Sequence, residues 1–301
     1  MSIVRDCYKM SRNNIKIPGN QKLFVISDLH IGDGSSRDNL IKDNKIVLFN
    51  RFLDEVEKQN GTLLILGDLL ELWRYSLAAI LGRWWKLFDR LAGMNVIYVP
   101  GNHDDLLDSR YSKNQPMHPF FQSLHQPFDK IIGNKRFKFM HGHEVDPLIS
   151  PYLTSLSPLL RFLVGTLEFR SNMCLITSDR TTDILLEAGE QFLRVWHTVT
   201  RQVNHGVYSH LGFPGEFLTH LKCPIRTRNM LARFYKQQES GVYDVTVTGH
   251  THKAGHFSDW YFNCGSWTRQ TMNYLTIDPD GHIEIRNWTS NGSSINTVTV
   301  A

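Results

Sequence analysis

The sequence predicts an α/β fold with a helical cap inserted late in the chain, and three observations predict it. Short apolar runs that read as buried strands alternate with helix-spaced amphipathic segments up to residue 141. Strand alternation then lapses over residues 147–235 and returns from Tyr243. At 301 residues, 41% apolar and 21% charged, the chain has the composition of a soluble globular protein, with room for a domain and a sizeable insert.

Residues 1–20 are a polar lead-in ending at Pro18-Gly19, without the apolar core of a signal peptide. The first strand is Leu23 to Ser27, followed by a loop from Ile31 to Ser36. Ile46, Val47, Phe49, Phe52, Leu53 and Val56 fall at helical spacing, so residues 44–58 form an amphipathic helix that Asn60-Gly61 ends. Thr62 to Leu66 is the second strand. A Leu- and Trp-rich helical region follows over about 70–92, broken at Gly82, with Trp84 and Trp85 packing on the sheet. Val96 to Val99 and Phe137 to Met140 are the next strands. The stripe from Leu159 to Phe169, with helical signals at 182–204 and 226–238, makes residues 147–239 a cap on a core of residues 1–146 and 240–290. Strands return at 243–248, 255–263, 266–277 and 282–288, with Asp280-Gly281 as a hairpin turn. The Ser/Thr/Asn-rich end, residues 291–301, is a tail.

Each of five strands delivers polar residues at its C-terminal edge, where open α/β sheets place ligands. They are Asp28 and His30, Asp68, Asn102 and His103, His141, and His250 and His252. Carboxylates mixed with imidazoles suit Mn, Fe, Zn or Ni better than Ca or Mg. A central bridging carboxylate, Asp68, can hold two ions about 3.5–4 Å apart, the spacing used for displacement at phosphorus. Each motif alone is weak. The ordered set DLH, GD, GNHD, HGH and GHTH, each after an apolar run, is strong.

Other features carry less. A net charge of +4 disfavours nucleic acid as a partner. Cys7, Cys174, Cys223 and Cys264 show no CxxC pairing and read as reduced thiols of a cytoplasmic protein. No apolar run is long enough to span a membrane. Asp104 and Asp105 read as caps of a helix after the GNH turn. His143, Glu144 and Asp146 either hydrogen-bond to His141 or are ordinary loop residues. Arg37 is a candidate phosphate ligand, or a solvated loop arginine.

The ordered motif set resembles that of the calcineurin-like metallophosphoesterases, D-x-H, G-D, G-N-H-[DE], H and G-H-x-H, over residues 22–145 and 243–270. The resemblance implies a β-sandwich of mixed sheets flanked by helices. It also implies hydrolysis of a phosphate ester or pyrophosphate by a metal-activated hydroxide, with two divalent transition-metal ions, Mn²⁺ first among them. Asp28, His30, Asp68 and His252 would hold the first ion. Asp68, Asn102, His141 and His250 would hold the second. His103 would be the general acid, and Glu71, where many relatives have Asp, would orient it. The segments Gly67 to Trp73 and Gly249 to His252 further resemble the UDP-2,3-diacylglucosamine diphosphatase branch. His103 stands where that branch has Arg, and HGH replaces its HGD. The cap's apolar stripe and arginines then suggest a lipid-linked phosphorylated substrate and peripheral membrane contact. A superfamily nuclease and a non-catalytic binding scaffold are the alternatives.

Overall fold

The computed structural model describes residues 15, 17–107, 118–146, 230–231, 233–235, 237–238, 241–268 and 272–295. Most of the expected cap, including its apolar stripe, lies outside the described residues. Strands β1 (Leu23–Ile26), β2 (Thr62–Leu66) and β3 (Val96–Val99) run parallel, connected through helices α1 (Lys45–Lys58) and α2 (Leu77–Gly93). Strands β4 (Phe128–Ile132), β5 (Lys135–Phe139), β6 (Val245–Thr248), β7 (Gly255–Phe257) and β8 (Tyr261–Asn263) form a second sheet in the order β4-β5-β6-β8-β7. Strands β9 (Met272–Ile277), β10 (Ile283–Thr289) and β11 (Gly292–Ile295) return antiparallel to the first sheet, giving β11-β10-β9-β1-β2-β3. Both sheets are mixed.

Alternation within each strand decides the layers. Leu23, Val25, Leu64, Leu66, Ile97 and Val99 face Phe137, Phe139, Val245 and Val247 between the sheets. Their neighbours Phe24, Ile26, Leu63 and Ile65 face Phe49, Phe52 and Val56 of α1 and Ile80, Phe88 and Leu91 of α2. With both faces covered, β1 and β2 have no polar side to show, so they read as unbroken apolar runs. Phe52 sits at the centre of an aromatic knot with Phe24, Phe49, Trp267, Tyr274 and Trp288, centroids 5.0–6.4 Å apart. On the outer face of the second sheet, Met230, Leu231 and Phe234 of a helical segment bury against Met140, Val145, Trp260 and Tyr261.

Several expectations are corrected. Residues 70–76 are not helical: Glu71 N donates to Ile31 O at 3.0 Å, keeping this stretch beside the loop after β1. The helix starts only at Ser76, whose Oγ accepts from Ala79 N. Its kink falls at Trp84, not Gly82, because the Trp84 indole is drawn aside to donate to Gly32 O and Asp38 Oδ2, each 2.9 Å away. Trp85 is 47% exposed and does not pack on the sheet. Residues 255–263 are a two-stranded hairpin, and the next strand begins only at Met272. Residues 292–295, read as tail, pair with β10 as β11. Among the described residues no helix is long and apolar enough to cross a membrane.

Candidate metal centre

The C-terminal ends of β1, β2 and β3 in one sheet meet those of β5 and β6 in the other. Asp68 Oδ2 lies 3.2 Å from His141 Nε2 and 3.8 Å from His30 Nε2. His252 Nε2 lies 3.0 Å from Asp28 Oδ1. Asn102 Oδ1 is 3.3 Å from His141 Nε2, and the His141 and His250 rings are 5.0 Å apart. The donors fall into three groups, each with atoms within 4.8 Å of one another: Asp28, His30 and His252; Asp68, His141 and His250; and His30, Glu71 and His103. All seven residues expected to hold metal are therefore brought together, with His103 and Glu71 beside them. Arg37 is half-buried in the loop after β1.

The backbone turns that present these residues are unusual. Asp28, His30, Asp68, His250 and His252 all have positive φ, between 48° and 69°. That left-handed conformation costs about 1–2 kcal/mol for a residue with a Cβ. Gly67 has φ +84°, and a side chain there would strike the His141 ring and Gly101. A side chain at Gly101 would strike the Asp68 carboxylate. Backbone bonds cross-link the turns: Asp28 N donates to Gly67 O, His30 N to Asp68 O, and Trp267 N to Asp28 O. Side chains finish the job. His250 N donates to Asp28 Oδ2 at 3.0 Å and His103 N to Asp68 Oδ1 at 2.8 Å.

Asp104 has a different role from the helix cap expected of it. Its carboxylate accepts from Gly101 N at 2.5 Å, Asp68 N at 3.3 Å and Leu70 N at 3.1 Å, and from the Tyr98 hydroxyl. It ties the GNHD turn to the GD turn. Burial, then the Asp68 charge, pushes its acid up to about 6. The partner expected for His141 is also different: its Nδ1 lies 2.7 Å from the Leu66 carbonyl. Asp146 instead holds His250, Oδ2 to Nε2 at 2.7 Å, and Glu144 accepts from Gly142 N.

With the motif residues in one place, the match of a family model for calcineurin-like phosphoesterases to residues 21–254 becomes decisive. The chain belongs to the calcineurin-like phosphoesterase family. It is a metal-dependent phosphoesterase, and the family implies divalent metal ions. No curated protein matches the chain. Among solved structures it is similar to a single mutant of Vps29 from Entamoeba histolytica, at 15% identity and a TM-score of 0.40, covering 92% of this chain and 98% of that one. It is also similar to a Staphylococcus aureus protein assigned as a 5′-nucleotidase, in complex with α-ketoglutarate, at 15% identity and a TM-score of 0.37. That match covers 92% of this chain and 54% of the other, so the phosphoesterase spans about half its length.

The phosphoesterase's own atoms fit a divalent cation. His30 Nε2 is buried without a hydrogen-bond partner, 3.8 Å from Asp68 Oδ2 and 3.9 Å from Asp28 Oδ1, which makes no aligned hydrogen bond although His252 Nε2 lies 3.0 Å from it. Orphaned buried polar atoms are costly, and a cation between them removes that cost. Electrostatics agree. Burial alone would drive His141 neutral, but the charge and hydrogen bond of Asp68, with Asp28 and the Leu66 carbonyl, hold its imidazolium up to about 10. Burial alone would likewise raise Glu71. His103 and His30, at 2.8 and 2.9 Å from its two oxygens, instead hold it well below the usual carboxylate range.

A pH dependence follows for the metal-free protein. The stability that His141 contributes is full below 6.5 and is lost as pH rises through about 10. Metal ligation needs the neutral imidazole, so loading metal between those values should expel a proton, and apparent affinity should climb with pH. Calorimetric titration with Mn²⁺ in two buffers of different ionisation heat measures the protons released. Zero release at pH 8 would contradict the arrangement.

Proposed function

We propose that this phosphoesterase holds two divalent transition-metal ions, Mn²⁺ first among them. Asp28, His30, Asp68 and His252 take one, and Asp68, Asn102, His141 and His250 the other. The observation that carries this reading is the place of Asp68, whose Oδ2 reaches toward His30 on one side and His141 on the other. When bound, such a pair supplies Lewis-acid polarisation of the phosphoryl oxygens and an activated water. The protein's own residues do the rest. His103 has its Nδ1 against Glu71 and a side chain 20% exposed, which leaves Nε2 to give a proton to the departing oxygen. Glu71 reaches both His103 and His30, a span its extra methylene relative to aspartate permits.

The substrate in this reading is a phosphate ester or pyrophosphate on a lipid-linked or UDP-sugar-lipid molecule, met at a membrane surface from the cytoplasm. In this reading residues 147–239, most of which lie outside the described residues, are the cap that receives it. Two observations support a cap seated here: Met230, Leu231 and Phe234 bury beside Val145, and Arg233 Nη1 donates to Val145 O at 3.0 Å. Both contacts lie a few residues beyond His141. The Gly67 to Trp73 and Gly249 to His252 segments support kinship with the diacylglucosamine diphosphatase branch, while His103 in place of its Arg keeps monoesters and diesters open.

The test is a Mn²⁺-supplemented panel of phosphomonoesters, phosphodiesters and nucleoside-diphosphate conjugates with increasing acyl length. Each buried CH₂ contributes about 0.8 kcal/mol, so kcat/KM should rise several-fold for every methylene the cap receives. Activity that is flat with chain length and collapses with salt would remove the lipid reading in favour of a nucleic-acid substrate.

A further inference from the structure

Trp73 lies half-buried in the turn between Asp68 and α2. Its ring is stacked on that of His103, centroids 4.0 Å apart and planes 16° from parallel. Its Nε1–H donates to the Asn102 carbonyl at 2.9 Å. One side chain therefore grips both the peptide joining Asn102 to His103 and a face of the His103 imidazole. Two further contacts hold the ring. Glu71 Oε1 is 2.8 Å from Nδ1, and the His30 ring lies nearly perpendicular to it, centroids 4.6 Å apart and planes at 83°. A hydrogen bond at Nδ1 alone leaves a ring free to pivot about that contact. A parallel stack removes the pivot, because turning the ring breaks face contact over its whole area.

We propose that Trp73 is a positioning residue for phosphoester hydrolysis: it fixes the plane of the His103 imidazole so that Nε2 faces the leaving oxygen. The inference rests on the reading of His103 as general acid. Trp73 itself touches no reacting atom and acts through His103. Proton transfer is sensitive to such aim, since misplacement of a catalytic group by about 1 Å can cost about 10²-fold.

The experiment compares Trp73→Leu and Trp73→Phe, each alone and combined with His103→Ala, on an alkyl phosphate and on nitrophenyl phosphate. Trp73→Leu should lower kcat on the alkyl ester by about 10–100-fold with KM little changed, and by less than about threefold on the nitrophenyl ester. Trp73→Phe keeps the stack and should recover most of the loss. In the His103→Ala background, Trp73→Leu should add almost nothing, because residues that act through one another are non-additive. Metal content, measured by elemental analysis, should match the wild type. If Trp73→Leu loses metal or fails to fold, Trp73→Phe and its double mutant carry the test, with a smaller but still leaving-group-dependent and non-additive loss. Equal losses on both esters, or additivity with His103→Ala, overturns the inference. If His103→Ala alone shows no leaving-group dependence, the general-acid reading has failed and this inference falls with it. If His103→Ala shows that dependence and the Trp73 variants do not, only the positioning role is lost.

Discussion

Replacing Asp68 with alanine is expected to empty both proposed metal positions at once and to lower kcat/KM by about 10³-fold or more. The reason is geometric. Asp68 Oδ2 is the carboxylate atom near both His30 and His141, at 3.8 and 3.2 Å, and Asp68 belongs to the donor group of His141 and His250. Its other oxygen accepts from His103 N, so the same substitution also loosens the GNHD turn. Elemental analysis of Asp68→Ala should find neither ion at the occupancy of the wild type. His252→Ala makes the contrast, because His252 lies beside Asp28 and outside the His141 group. It should weaken one ion and spare the other. Two ions retained in Asp68→Ala would remove the bridging assignment.

His103→Ala should leave metal content intact and lower kcat by about 10²–10⁴-fold on an alkyl phosphate, the range of general acid–base catalysis. The loss should shrink sharply on nitrophenyl phosphate, whose leaving group departs without a proton. Glu71→Gln bears on the same reading from the other side. A neutral amide cannot stabilise charge on His103 and His30, which lie 2.8 and 2.9 Å from the two carboxylate oxygens. A His103→Ala loss of equal size on good and poor leaving groups would place His103 in phosphoryl binding instead.

Most of both sheets and the strand-end polar residues that the structure brings together were legible because their signals are local. A strand buried on both faces is a continuous apolar run, and each such run here ends in a short polar motif. What was illegible depends on partners far away in sequence. β4 shows only its end residues Phe128 and Ile132 as buried, so its pattern is too thin to read as a strand. β11 is a polar edge strand with three exposed residues. The kink at Trp84 comes from Gly32 and Asp38, more than forty positions away. Asp104 looked like a cap because aspartate after a turn usually is one, and nothing local reveals that Asp68, Leu70 and Tyr98 converge on it. Ser27, wedged between Asp28, Gly265 and Cys264, was missed for the same reason.

The left-handed backbone at Asp28, His30, Asp68, His250 and His252 bears on how such a protein can age over generations. Glycine would relieve the backbone strain at any of these positions, but it would also remove the side-chain contacts that tie the turns together and end the chemistry. At about 1 kcal/mol apiece, the strain at a few of these turns amounts to a sizeable share of a domain's net stability. This chain has Asp or His at all five, the pattern expected where the loss of metal chemistry carries a heavier penalty than the strain.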